Sequence, residues 1–229
     1  MAKHIVVFGS PGSGKSVFCA ALAKTALNHK KRTVILSDDP VIPMLPFYCG
    51  VSDTLGLGAL CAGKLLPETV AQAVKIIKDY PDIGVIGTRP EDRTTDITKE
   101  RLLRIADLLD NLVDLVIWDS GMSMEIMEQG DLRVCILTAD IKGLLYFEQF
   151  RQRIRQKACV ILEGLAKPYT AYEEMSMRIG GLDGRLNYGR EVERIYLEGD
   201  IFSVDDVCHA EYADLAEQLM RRVLYREGE

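Results

Sequence analysis

Residues 8–16 read FGSPGSGKS, and within them Gly9, Gly14, Lys15 and Ser16 fall at the spacing G-x-x-x-x-G-K-[ST]. Glycines so spaced let a backbone curl until its N–H groups face one centre. A helix starting at that point adds the positive end of its dipole. The chemistry served is phosphate binding: the lysine reaches the β- and γ-phosphates and the hydroxyl beside it binds Mg²⁺. The candidate phosphate-binding residues are Gly9, Ser10, Pro11, Gly12, Ser13, Gly14, Lys15, Ser16 and Val17, with Lys15 also placed for catalysis and Ser16 for the metal. Kinases, hydrolytic switches and proteins that only hold a nucleotide all use such a loop, so it does not choose among them.

Carboxylates narrow the choice. Asp119 closes the apolar run VDLVIWD (113–119) and is followed by Ser120 and Gly121. A carboxylate at a strand tip beside a phosphate loop can hold Mg²⁺, usually through water, and the glycine lets the backbone turn toward a γ-phosphate. Asp38 and Asp39 close a second run, RTVILS (32–37), just before Pro40. In a parallel sheet this end lies on the edge that carries the loop, so one of the two is a candidate for orienting an attacking water.

These groups need a frame. HIVVF (4–8) is a continuous apolar, β-branched run, as a strand buried on both faces requires. A helix follows from about Lys15 to His29, with Phe18, Cys19, Leu22, Ala23, Ala26 and Leu27 at helical spacing. Strands are predicted at 32–37, 83–87, 113–119, 132–139, 158–164 and 184–188. Helices are predicted at 66–80, 98–111 (Thr98 as cap), 140–156 (Asp140 as cap), 171–179 and 209–226. Residues 40–52, with three prolines and a glycine, read as an irregular loop. Alternation of this kind implies right-handed βαβ units: an α/β fold, a mostly parallel twisted sheet flanked by helices on both faces, in one domain over 1–229.

The composition agrees. The 229 residues are 48% hydrophobic and 27% charged, with a net charge of −6, which does not imply bulk affinity for nucleic acid. No apolar run is long enough to span a bilayer, and the N-terminus lacks the pattern of a signal peptide, so a cytoplasmic protein is expected. The six cysteines lack the close spacing of a zinc or redox motif and read as small buried hydrophobes.

Taken in order, HIVVFGSPGSGKS, RTVILSDDP and VDLVIWDSG resemble the MinD/ParA family of P-loop ATPases, and the similarity spans nearly the whole chain. TLGLGALCAGKLLPETV is similar to that family's helices after the second strand, IGVIGTRPEDRTTD to the strand and loop before its Walker B strand, and RLNYGREVERIYLEGD to a later family stretch. The resemblance implies a P-loop NTPase fold that binds ATP and Mg²⁺, forms a face-to-face homodimer, hydrolyses ATP slowly and works with protein partners of a larger assembly. Membrane or DNA binding is left open. It makes Lys15 and Ser16 the phosphate and Mg²⁺ residues, Asp39 the aspartate that positions water and Mg²⁺, and Asp119 the Walker B aspartate. Two positions depart from the pattern. Ser10 stands where the family has a lysine that reaches the partner's nucleotide, and Glu163 stands where an asparagine commonly reads adenine, though a carboxylate can still accept from the adenine amino group. Arg89 and Arg93 are candidate substitutes for the lysine. Two alternatives stand beside a switch ATPase. One is a nucleotide-binding scaffold with little hydrolysis. The other is a small-molecule or nucleotide kinase, which usually needs an arginine-rich lid; the cluster Arg151, Arg153 and Arg155 alternates along a predicted helix and reads as solvated.

Overall fold

The computed structural model describes residues 1–39, 44–51, 56–92, 96–121, 126–166, 172–199, 201–202 and 206–225. Eight strands form one sheet: β1 (Lys3–Gly9), β2 (Thr33–Ser37), β3 (Lys75–Ile77), β4 (Tyr80–Gly87), β5 (Leu115–Asp119), β6 (Leu132–Thr138), β7 (Val160–Ala166) and β8 (Gly184–Asn187). Their spatial order is β3-β4-β2-β5-β1-β6-β7-β8, and every neighbouring pair is parallel except β3 with β4. The apolar runs explain this. β2 and β5 are buried at every position, which requires cover on both faces.

The cover comes from α1 (Lys15–Asn28), α2 (Met44–Tyr48), α3 (Leu57–Ala62), α4 (Pro67–Ala73), α5 (Lys99–Leu109), α6 (Ile141–Gln156), α7 (Tyr172–Ile179), α8 (Arg190–Glu198) and α9 (Asp206–Leu224). On one face α1 is sandwiched between the sheet and α9: Phe18 and Leu22 are fully buried, and the Phe18 ring lies 6.5 Å from that of Tyr212. Burying such a side chain stabilises the fold by about 1.5–3 kcal/mol. Tyr212, Leu219 and Val223 are buried in the same cluster, so α9 spends its apolar stripe on packing. α3, α4, α5, α6 and α7 cover the other face, where Trp118, Ile105 and Phe147 are buried. There the Trp118 indole N–H donates to His4 Nδ1 at 3.1 Å. His4 therefore carries its proton on Nε2, which faces Asp110 at 2.8 Å.

Three expectations are corrected. The helix predicted over 66–80 ends at Ala73. Lys75–Ile77 instead pairs antiparallel with β4, placing Ile76 opposite Gly84, and the turn after it holds Asp79 at φ 67. Residues 44–48, inside the predicted loop, form a short helix, and 190–198 form a helix not predicted from the sequence. The caps are as expected: Thr98 Oγ1 accepts the Arg101 N–H, and Asp140 accepts those of Lys142 and Gly143.

What matters for the site is where the chain reverses. β1 has β5 on one side and β6 on the other, so the sheet is built outward in both directions from it. In such sheets the crevice for a ligand lies beyond the carboxyl ends of the strands at that reversal. The carboxyl end of β1 is Gly9, where the glycine-rich loop begins.

Candidate functional site

Residues 10–14 leave β1 and turn into α1. Gly9 has φ 147, and a Cβ there would fall 1.8 Å from the Ile136 carbonyl oxygen of β6, so no side chain fits. Gly14, at φ 90, is the residue before α1; its left-handed backbone turns the loop into the helix, and a Cβ would press on Leu165 at 2.9 Å. The Ser10 N–H is tied to the Ile136 carbonyl at 3.0 Å.

The loop and helix offer donors to a ligand. No side chain caps α1 and its first turn carries no acid, so among the described residues no side chain answers its leading N–H groups. Ser13 Oγ is buried without a hydrogen-bond partner. Lys15 Nζ leans back on the Gly9 and Ser10 carbonyls at 3.5 and 3.3 Å, long contacts for a cation. These donors suit a phosphate chain.

The metal candidates converge beside it. β5 and β2 end in register at Asp119 and Ser37, and Val7 of β1 lies opposite Asp119 on its other side. The Ser16 hydroxyl donates to Asp119 Oδ2 at 2.8 Å, and the Ser37 hydroxyl reaches the same oxygen at 3.4 Å. Asp119 is 4% exposed. Burial raises its pKa, an effect offset by the Lys15 charge and the two hydroxyls and reinforced by Asp39. A buried carboxyl beside two hydroxyls, a second carboxylate and an ammonium is a donor set that fits a divalent cation. Among the described residues no three His, Cys, Asp or Glu side chains form a metal cage. A magnesium ion here would take Ser16 and a carboxylate from the protein and its remaining ligands from phosphate and water.

Asp39 is partly exposed at the end of β2. Its carbonyl accepts the Thr88 hydroxyl, and Gly121 lies against its Cα and Cβ. Asp38 points inward, and its Oδ1 accepts the Gly121 N–H at 2.6 Å. Burial pushes the Asp38 carboxyl up from 3.8 to about 6. The Gly121 N–H works against this shift, while Asp119 and Asp39 add to it. An acid whose pKa is raised by folding binds its proton more tightly in the fold, so its ionisation destabilises. The stability cost is absent below about pH 4 and fully present above about pH 6. Asp38→Asn should therefore gain stability over the wild type as pH rises through that window, reaching on the order of 2–3 kcal/mol. Denaturant unfolding of the nucleotide- and metal-free proteins between pH 4 and 8 measures it.

Ser10 does not face outward. It is fully buried, its Oγ accepts the Thr138 N–H at 2.8 Å and lies 3.2 Å from Thr138 Oγ1, and Thr138 Oγ1 donates to Asp140 at 2.7 Å. Ser10 is thus an anchor between the loop and the N-terminus of α6. Glu163 lies on β7 next to Gly164, which packs on the Ser13 carbonyl, so this strand end does border the loop. Its carboxylate, however, is fully buried 2.9 Å from Arg185 Nε, charge-paired without an aligned hydrogen bond. An adenine amino group would have to compete with that guanidinium. Arg89 pairs with Glu91 at 3.2 Å in the loop after β4, and Arg93 lies outside the described residues.

The geometry thus brings together Gly9 to Val17, Asp39 and Asp119. Ser37, Thr88 and Thr138 were missed from the sequence. Ser37 alone carried a signal, as the residue before the two aspartates at the end of a parallel strand.

No family model matches the sequence, and no curated protein matches it. Solved structures do match. The ParA family ATPase from Chlorobium tepidum TLS superposes with a TM-score of 0.81 at 16% identity, covering 94% of this chain and 99% of that one. The MinC:MinD cell division protein complex of Aquifex aeolicus gives 0.77 at 13%, covering 98% of each chain. The septum site-determining protein MinD complexed with Mg-ADP, from Pyrococcus horikoshii OT3, gives 0.72 at 14%, covering 96% of each. The fold is the MinD/ParA-like P-loop NTPase fold.

Proposed function

We propose that this chain binds ATP with Mg²⁺ at residues 9–17 and hydrolyses it slowly, as a MinD/ParA-like switch in the positioning, partition or assembly of a cellular machine. The observation that carries the reading is the Ser16–Asp119 contact at the mouth of the glycine loop, beside a Lys15 ammonium held only by long contacts. In this reading the loop amides, Ser13 and Lys15 hold the phosphates, and Ser16 and Asp119 hold the metal with Asp39. Asp39 orients the attacking water. Magnesium, when bound, neutralises charge on the β- and γ-phosphates. The similar structures support the nucleotide and partner reading: one carries Mg-ADP and another is a complex with a second protein. The proposal extends to a homodimer and to the cytoplasm. Among the described residues, no helix is long and apolar enough to cross a membrane.

The buried Ser10 favours a second reading within the same site, a scaffold with little hydrolysis. Two triphosphates brought toward a shared interface repel. A lysine reaching across would offset that repulsion and stabilise the transition state, and loss of one such donor typically costs on the order of 10²–10³ in rate. Serine turned into the fold supplies no charge. The expected result is slow phosphate release and a mass by light scattering that changes little when ATP is added. A tight ATP-induced dimer with brisk hydrolysis would contradict it. The kinase reading is less well served. Arg151 sits 3.5 Å from Glu148 and Arg155 donates to the Ile179 carbonyl, so both are engaged along α6. A screen for phosphoryl transfer to nucleotides separates the two.

A further inference from the structure

β2 ends in two carboxylates, and the reading above uses one. The other, Asp38, is 5% exposed, and its Oδ1 accepts the Gly121 N–H at 2.6 Å. Gly121 is the second residue past Asp119. A Cβ on Gly121 would lie 2.7 Å from the Asp39 Cα, 2.9 Å from its Cβ and 3.1 Å from its Cγ, so Asp39 rests directly against the Gly121 backbone. The ladder between β2 and β5 stops at Ser37 and Asp119. Beyond it the Asp38 N–H reaches the Asp119 carbonyl only at 3.4 Å.

We propose that Asp38 is a positioning residue: its carboxylate clamps the turn after β5 to the end of β2, and Gly121, so held, sets the place of Asp39 against the metal site. Past their last register pair, and without the clamp, the strand ends keep the 3.4 Å backbone contact and the packing of Asp39 on Gly121. With it they share a charge-assisted bond, roughly twice as strong as a neutral one. Among the described residues the Asp38 carboxylate bonds to the Gly121 N–H and to neither Lys15 nor Ser16, so the clamp is expected to act on Asp39 more than on the phosphate cradle. Asparagine keeps an acceptor oxygen of the same reach, whereas alanine removes it.

The inference about Asp39 rests on the nucleotide reading, but the clamp is a property of the chain alone, and the two are tested separately. In the nucleotide-free protein, amide exchange at Gly121 should quicken about tenfold or more in Asp38→Ala, with protection in β1 and β6 unchanged, and return to near wild type in Asp38→Asn. With ATP and Mg²⁺, Asp38→Ala should lower turnover about tenfold while affinity for a non-hydrolysable analogue stays within about twofold, and Asp38→Asn should recover most of the turnover. Unchanged Gly121 exchange in a folded Asp38→Ala protein overturns the clamp, whatever the nucleotide does. Faster exchange with turnover unaltered, or with turnover and affinity falling together, overturns the role in placing Asp39. If the wild type turns over no ATP, the hydrolytic reading falls and the exchange result alone decides the clamp.

Discussion

Lys15→Ala is expected to lower affinity for a non-hydrolysable ATP analogue roughly a hundredfold or more, the cost of about 3 kcal/mol typical of removing one partner from a close charge pair. The loop explains why the loss should be large and confined to binding. Lys15 is the charged donor at its centre, among backbone N–H groups and the Ser13 hydroxyl. Its own contacts are 3.3–3.5 Å to the Gly9 and Ser10 carbonyls, so the fold gains little from them. The variant should melt within a few degrees of the wild type. Equilibrium binding of a labelled analogue, paired with a thermal melt, checks both halves. Unchanged affinity in a folded variant would remove the phosphate assignment.

The second large effect is expected at Asp39. Asp39→Ala should cut ATP turnover on the order of a hundredfold, within the range set by general acid–base groups, and shift analogue affinity only a few-fold. Asp39 is partly exposed at the end of β2, while Asp119 is buried against Ser16 and Ser37. In the proposed function the two carboxylates would divide the work: Asp119 would help seat the metal in the ground state, and Asp39 would act where water attacks. Steady-state phosphate release and analogue titration on the same protein separate these contributions. Parallel losses in both would make Asp39 a metal or structural residue.

Much of this frame was legible because burial on both faces writes itself into sequence. β1, β2, β5, β6 and β7 each carry an apolar run of three residues or more, and the glycine spacing after β1 pointed to the loop directly. β3 was not legible: Val70, Ala73 and Ile77 continue a helical period, and the segment 74–77, with Val74, Ile76 and Ile77, departs from it only by pairing with β4, a partner made by tertiary structure. The same holds within the site. Ser10 bonds Thr138 across 128 positions and Asp38 bonds Gly121 across 83, contacts that no local pattern encodes. Ser10 could be read as an absent lysine; that it is a buried anchor required the fold. Glu163 could be read as a base contact; the Arg185 that faces it belongs to the next strand over.

The central claim is that a nucleoside triphosphate and Mg²⁺ sit on this loop, and a structure of the chain with both tests it most directly. A non-hydrolysable ATP analogue with Mg²⁺ should lie with its phosphates on the amides of residues 10–16. The Lys15 ammonium should have left the Gly9 and Ser10 carbonyls for phosphate, and Ser16 should have exchanged its bond to Asp119 for the metal. A loop that keeps its Lys15 and Ser16 contacts at saturating nucleotide, or a nucleotide bound elsewhere on the molecule, would contradict the account.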